Sequence, residues 1–217
     1  MRLYVDNDIV HKLAAVGLFD AVLLSLGATR PDVFVVGSAR FKFFVAKETA
    51  KGVKRYGEET HRKICDIING VNSLSQEPDV AGLEQLKDVV DIHAGEAVLF
   101  AVAAADPDAL LLTGDKNALR ALAASEATDL LERLRGRVLC FEQLLLRVIE
   151  SQTFDVVRDA VAPERNVDGA TKMIFSNGTM TEEAHAMEGL TSFLGSLRGE
   201  TGLLLQAEAP PPLSGVD

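Results

Sequence analysis

Short apolar runs without regular polar alternation constrain the fold of this chain more than any other feature. Five such runs occur, at about residues 2–6, 33–36, 88–92, 109–113 and 137–140. Strands have this composition when helices cover both faces of their sheet, as is usual in parallel sheets. Helical patterns separate the runs, and this alternation predicts an α/β fold: a three-layer α/β/α sandwich with a parallel five-stranded sheet.

The helical segments between the strands are predicted from apolar spacing and from glycine or proline at their ends. They cover residues 9–16, 18–26, 39–50, 57–70, 78–87, 95–105, 116–124 and 126–135. Gly52 and Gly57 flank the predicted break between the third and fourth of these helices. A chain of 217 residues with this pattern fits one domain, or one domain with an appendage.

The strand patterns stop near residue 150, which predicts a division of the chain into three parts. Residues 1–150 form the α/β domain, residues 151–206 a C-terminal helical extension, and residues 207–217 a proline-rich disordered tail. The extension is expected to contain helices at 153–162, 169–176 and 181–198.

An apolar stripe runs along the last predicted helix. It consists of Met187, Leu190, Phe193, Leu194 and Leu197. Packing on the α/β domain is the favoured interpretation of a stripe at this spacing. The alternative is the interface of a homodimer.

The net charge of −10 is unevenly distributed. Residues 40–63 hold eight Lys or Arg against three Asp or Glu, inside an otherwise acidic chain. The net charge argues against a coating protein that binds nucleic acid nonspecifically, whereas the basic block could be a local phosphate-facing patch. The alternative is a solvated helix surface with a positive bias.

Hydropathy and cysteine content indicate a protein of the cytoplasm with no membrane association. No apolar run approaches the length that spans a bilayer, and Asp6 and Asp8 interrupt the stretch where a signal peptide would be apolar. Cys65 and Cys140 lack partners at metal-ligand spacing, so we expect free thiols. No Gly-rich dinucleotide motif, nucleophile elbow or zinc-like histidine spacing occurs in the sequence.

Carboxylates follow or begin several predicted elements. Asp6 ends the first strand, Asp8 follows it, Glu96 begins the apolar helix at 95–105, and Asp115 ends the fourth strand. Each could cap or favour a helix N-terminus. Ligands bind at the carboxyl ends of parallel strands, however, and carboxylates gathered there repel unless a cation neutralises them. A shared site for a hard cation such as Mg²⁺ is the favoured interpretation.

Three motifs in order resemble those of PIN-domain nucleases. The opening Val5-Asp6-Asn7-Asp8 resembles the aspartate at the end of the family's first strand. Ala94-Gly95-Glu96-Ala97 resembles its Gly-Glu segment, and Leu112-Thr113-Gly114-Asp115-Lys116-Asn117 resembles its Thr-x-Asp-x-Asp/Asn strand end. The resemblance covers residues 1–150.

The resemblance implies a PIN-like sheet and an endonuclease that requires Mg²⁺ or Mn²⁺ and acts on RNA. Asp6, Glu96 and Asp115 would be the catalytic, metal-binding carboxylates. Asn117 would be a secondary metal ligand, and Asp8 would support Asp6. One interpretation is the toxin of a toxin–antitoxin pair, which would imply an antitoxin-like protein partner.

One departure from the family pattern leaves a second interpretation open. The family commonly has a glutamate after the second strand, whereas here no acid occurs before Glu48, and basic residues stand in its place. The residues expected to contact the RNA backbone are Arg40, Lys42, Lys47 and Lys51. The alternative function is therefore a catalytically degenerate PIN-like module that binds RNA or a protein partner.

Overall fold

The structure is a computed structural model that describes residues 1–74 and 80–207. Its sheet contains β1 (Arg2–Val5), β2 (Val33–Val35), β3 (Asn72–Ser73), β4 (Ala109–Leu112) and β5 (Val138–Leu139). The strand order is β3-β2-β1-β4-β5, and every neighbouring pair is parallel. The predicted α/β/α fold with a parallel five-stranded sheet is confirmed.

Helices flank the sheet, and most of them begin and end within a few residues of a predicted helical segment. Within the described residues they are α1 Asn7–Val16, α2 Phe19–Ser25, α3 Ala39–Lys42, α4 Thr49–Tyr56, α5 Glu58–Gly70, α6 Val80–Leu86, α7 Ala94–Ala105, α8 Lys116–Ala124, α9 Thr128–Leu134, α10 Phe141–Ser151, α11 Phe154–Val161, α12 Gly169–Ile174 and α13 Glu183–Thr201. No helix was predicted from the sequence at α10, and the predicted start of α6 at residue 78 lies outside the described residues.

The strand order reverses next to β1. After β1 the chain builds β2 and β3 on one side of it, and then returns to place β4 and β5 on the other side. Leu3 and Tyr4 are each paired in register with both neighbouring strands; Tyr4, for example, pairs with Phe34 on β2 and with Leu111 on β4. In open parallel sheets such a reversal leaves a crevice at the carboxyl ends of the two central strands, which is where ligands bind.

The prediction of a strand at 88–92 is wrong. These residues form a turn between α6 and α7, in which Asp91 has a φ of 69°. Val89 and Ile92 pack against the core from this turn, which accounts for the apolar run. The third strand is instead the polar pair Asn72–Ser73 at the edge of the sheet. An exposed two-residue strand carries no hydrophobic signal.

The helix predicted at 39–50 is also wrong in its extent. It is two helices, α3 and α4, separated by residues 43–48. Phe44 and Glu48, with φ values of 56° and 58°, turn the chain between them. Gly52 does not mark a break but lies buried inside α4, because the His61 ring occupies the space that a Cβ would need.

The C-terminal helices share one apolar core with the sheet. Leu190, Leu194 and Leu197 of the predicted stripe are buried, and Met187 and Phe193 pack against them. Packing on the α/β domain is therefore confirmed for this stripe. After α13 the chain runs beside β5, where Leu205 pairs with Val138 and covers that edge strand. Of the tail predicted at 207–217, all but Ala207 lies outside the described residues.

Candidate active site

Two of the predicted carboxylates stand at the carboxyl ends of the central strands. Asp6 directly follows β1, and its backbone N–H donates to the carbonyl of Leu112, the last residue of β4 (2.9 Å). Asp115 lies three residues beyond β4 and begins α8. The sheet therefore brings both residues to the crevice at the strand reversal, as the sequence predicted.

Asp6 is a buried carboxyl whose ionised form is disfavoured. Its exposed fraction is 5%, and burial, followed by the negative charges of Asp8 and Glu96, raises its pKa to about 6. The charge of Lys42 and a hydrogen bond from the backbone N–H of Asp8 act in the opposite direction. The Thr113 hydroxyl donates a hydrogen bond to Asp6 Oδ2 (3.3 Å) and orients it.

Glu96 and Asp115 each cap a helix and also meet each other. Glu96 accepts the backbone N–H of His93 (2.8 Å) at the start of α7. Asp115 Oδ1 accepts the N–H groups of Asn117 and Ala118, both at 3.0 Å. The pKa of Glu96 is raised, chiefly by burial, against the hydrogen bond from His93. Its carboxyl lies close enough to that of Asp115 for the two to interact, and this interaction raises its pKa further.

Helix capping and a shared site are therefore compatible for these two residues. Each carboxyl is fixed by backbone donors of its own helix, and the two helix starts face one another. Two carboxyl groups in contact are unfavourable when both are ionised, unless a proton or a cation lies between them.

Asp8 has a different role from its acidic neighbours. Lys12, one helical turn further along α1, places its Nζ 2.6 Å from Asp8 Oδ2 and 3.2 Å from the carbonyl of Gly114. A Cβ on Gly114 would overlap Asp8 Oδ2, so only glycine leaves room for this ion pair. Asp8 is paired with Lys12, and this ion pair ties the β1–α1 connection to the β4–α8 connection.

A chain of buried charges extends from this pair into the C-terminal helices. Lys12 Nζ lies 2.8 Å from Asp168 Oδ2, and Lys116 Nζ lies 3.5 Å from the other oxygen of Asp168. Lys116 also pairs with Glu142, whose exposed fraction is 1%. The carboxylates of Asp8 and Asp168 outweigh the effect of burial and raise the pKa of Lys12. Both lysines thus have carboxylate partners other than Asp6, Glu96 and Asp115.

The donor set fits a hydrated cation better than a closed protein cage. In residues 1–74 and 80–207, no three Asp, Glu, His or Cys side chains are grouped so as to hold a metal ion. Mg²⁺ commonly needs only one or two carboxylates, however, with water and substrate phosphate as the remaining ligands. The contact between Glu96 and Asp115 meets that requirement, with Asp6 beside it.

A buried oxygen next to this cluster also lacks a partner. The side-chain oxygen of Asn7 is buried and makes no hydrogen bond within the described residues. Orphaned buried polar atoms are rare in folded proteins, and a bound water or ion often satisfies them. Asn7 follows Asp6 directly in the sequence, and no role was predicted for it.

Asn117, the predicted secondary ligand, is not brought into the carboxyl cluster. It is exposed on the first turn of α8, and its amide oxygen accepts a hydrogen bond from Arg120 Nη1 (3.2 Å). Arg120 also pairs with Glu200 of α13, which holds it on the outer surface.

The four basic residues predicted to contact RNA lie on or next to α3 and α4, and all are exposed. Lys42 is near enough to the carboxyls to lower the pKa of Asp6. Arg40 donates to the side chain of Asn69 (2.9 Å), and Lys51 pairs with Glu48 (2.6 Å). The basic segment therefore borders the acidic crevice at Lys42.

Sequence reasoning missed His11 and the buried lysines. His11 stands one turn beyond Asp8 on α1, and its ring packs against Tyr56 with centroids 5.1 Å apart. Burial lowers its pKa against the charge of Asp8. The i, i+4 spacing of Asp8 and Lys12 could have indicated their ion pair. His93, three residues before Glu96, has a largely exposed side chain.

Comparisons with protein-family models, with curated proteins and with solved structures gave no match to this chain. The resemblance to PIN-domain nucleases therefore stays a prediction, supported by this chain's own residues. None of the helices in the described part of the chain has the length and apolar character needed to cross a membrane.

Proposed function

We propose that this chain is an endoribonuclease of PIN-like type that depends on Mg²⁺ or Mn²⁺. The observation that carries the proposal is the meeting of Glu96 and Asp115 beside buried Asp6, at the reversal point of a parallel sheet. Burial raises the pKa values of Asp6 and Glu96, and the negative charges of neighbouring carboxyls raise them further. A divalent cation is the ligand that would compensate these charges.

Each residue of the crevice has a definite task in this proposal. Glu96 and Asp115 would hold the cation with Asp6 beside them, and Thr113 would keep Asp6 oriented through its hydrogen bond. The cation supplies Lewis acidity toward a phosphoryl oxygen and offsets the charge of the transition state. Lys42 borders the carboxyls and would receive the phosphate backbone of the substrate.

The pairing of the lysines supports the same proposal. Lys12 and Lys116 lie close to the crevice, yet Asp8, Asp168 and Glu142 hold their ammonium groups. A lysine paired with Asp6 or Glu96 would neutralise the site and exclude a metal ion. Because the lysines have their own carboxylates, the crevice keeps its negative charge.

Cleavage of RNA tests the proposal directly. We expect the purified chain to cut RNA with Mn²⁺ or Mg²⁺ and to be inactive with chelator. Asp115→Asn should keep the helix cap, since asparagine is also a preferred cap, but should lose about 100-fold or more of the rate. Asp108→Asn is the matched control, because Asp108 is exposed at the opposite end of β4 and should leave the rate unchanged. Equal rates for wild type and Asp115→Asn would refute the proposal.

A second candidate function is a PIN-like module that binds RNA without cutting it. Two observations favour it: the charge of Lys42 acts on Asp6, and no group of three potential ligands occurs in the part of the chain that the structure describes. This alternative predicts that the chain binds RNA equally well with Mn²⁺ and with chelator, and leaves it intact in both.

A further inference from the structure

Phe41 is unusual among the phenylalanines of this chain. All ten lie in described residues, and nine are buried or partly buried, whereas Phe41 is 79% exposed. It occupies the single turn of α3, between Arg40 and Lys42, which are exposed as well. An aromatic ring is thus presented to solvent between two cationic side chains.

The turn that carries Phe41 lies at the same edge of the sheet as the carboxyls. It follows the carboxyl end of β2, and β2 is the direct neighbour of β1, which ends at Asp6. The neighbouring Lys42 is close enough to act electrostatically on both Asp6 and His11. Phe41 therefore stands at the rim of the acidic crevice.

Buried residues fix the position of this turn. Ala39 and Phe43 are buried beneath it, and the Phe43 carbonyl lies 2.9 Å from His61 Nε2 of α5. The backbone beyond it is strained, since Phe44 and Glu48 have φ values of 56° and 58°, which residues other than glycine seldom adopt. Strain of this kind clusters at ligand-binding segments.

We propose that Phe41 stacks on an unpaired base of the RNA strand, while Arg40 and Lys42 contact the adjoining phosphates. This inference rests on the proposed function and deepens it, because it assigns a contact residue and requires the base beside the cleaved bond to be unpaired. An exposed aromatic ring with cationic neighbours is the arrangement by which proteins bind single strands. Bases inside a duplex are already stacked and cannot offer a face to the ring.

Fluorescence anisotropy of the full chain tests this inference separately from cleavage. A labelled single-stranded RNA of about 12 nucleotides, its DNA counterpart and an RNA duplex are titrated at low salt with chelator present. We expect Phe41→Ala to raise the Kd for single strands about tenfold, which equals ~1.4 kcal/mol, and to leave duplex binding unchanged. Phe41→Tyr should restore single-strand binding, because tyrosine also stacks. Met180→Ala is the matched control, since Met180 is 80% exposed in a C-terminal turn.

Three results would overturn the inference: no binding of single strands by the wild type, the same Kd for Phe41→Ala and wild type, or equal weakening of single strands and duplex. A preference between RNA and DNA shows which of the two the stacked base belongs to. If Phe41→Ala weakens binding but the wild type never cleaves with Mn²⁺, the proposed nuclease function fails and the stacking role stands. If the wild type cleaves and Phe41→Ala binds normally, only the stacking role fails.

Discussion

At the scale of single residues, the site is a set of carboxyls that the fold places at an energetic cost. Asp6 is buried beside Asp8 and Glu96, and it is compensated only in part by the charge of Lys42, a backbone N–H and the Thr113 hydroxyl. Folding therefore favours the protonated form of Asp6. A carboxyl kept in this condition is typical of functional sites, where charge is arranged for a ligand rather than for stability.

The cost of ionised Asp6 should be measurable as a pH dependence of stability. The pKa of Asp6 rises from 3.8 to about 6 on folding, so the folded protein binds this proton more tightly than the unfolded chain. The wild type should therefore lose stability from this group as the pH rises from about 4 through 6. Relative to the wild type, Asp6→Asn should gain about 2–3 kcal/mol in unfolding free energy between pH 4 and pH 8.

Urea denaturation at several pH values, with chelator present, measures this difference. Asp108→Asn serves as the control, because Asp108 is exposed and should show no such trend. A difference between Asp6→Asn and wild type that stays constant across this pH range would contradict the buried, uncompensated carboxyl.

The sequence predicts a site residue only where local structure, and not the docking of distant helices, places it. Asp6 and Asp115 could be predicted because they follow β1 and β4, whose carboxyl ends lie at one edge of the parallel sheet. Glu96 begins α7, which follows a turn and not the predicted strand, so its assignment came from the family resemblance. Asp168 could not be, since it reaches Lys12 only through the docking of the C-terminal helices. Local sequence patterns do not indicate a contact of this kind.

At the scale of elements, buried ion pairs join parts of the chain that are distant in sequence. Asp168 caps α12 and contacts Lys12 of α1 and Lys116 of α8, while Glu142 of α10 completes the set. The C-terminal helices thus support the two connections that carry Asp8 and Asp115. Removal of one partner from such a buried pair leaves an uncompensated charge.

Asp168→Ala should therefore destabilise the fold strongly. We expect a loss of about 3 kcal/mol in unfolding free energy, because buried Lys12 and partly buried Lys116 each lose one of two carboxylate partners and α12 loses its N-cap. Asp155→Ala is the matched control: Asp155 also begins a helix and pairs with an arginine, but its side chain is 71% exposed. Its loss should stay below about 1 kcal/mol. Similar losses for the two variants in thermal or urea denaturation would contradict this role of Asp168.

The errors in predicting elements have a common physical cause. The run at 88–92 is apolar because it covers the core from a turn, and β3 is polar because it is a short exposed edge strand. Hydrophobicity reports burial, and it predicts secondary structure only where burial and regular structure coincide. They coincide in β1 and β4, which carry the candidate site.

At the scale of the whole molecule, acidic and basic side chains form separate groups around one edge of the sheet. The carboxyls lie at the strand reversal, the basic residues of α3 and α4 border them, and the buried lysines are paired on the side of the C-terminal helices. A negative crevice with a positive rim suits a polyanion that binds together with a cation. The acidic charge of the chain as a whole is thus compatible with a nucleic-acid substrate.

Titration of the metal-free chain with Mn²⁺ by calorimetry tests the central claim most directly, namely that Glu96 and Asp115, with Asp6 beside them, bind one hydrated cation. We expect the wild type to bind Mn²⁺, and Asp115→Asn to bind it about 10-fold or more weakly. Asp108→Asn, at the other end of the same strand, should bind like the wild type. A wild type that takes up no Mn²⁺, or an Asp115→Asn variant with unchanged affinity, would contradict the account.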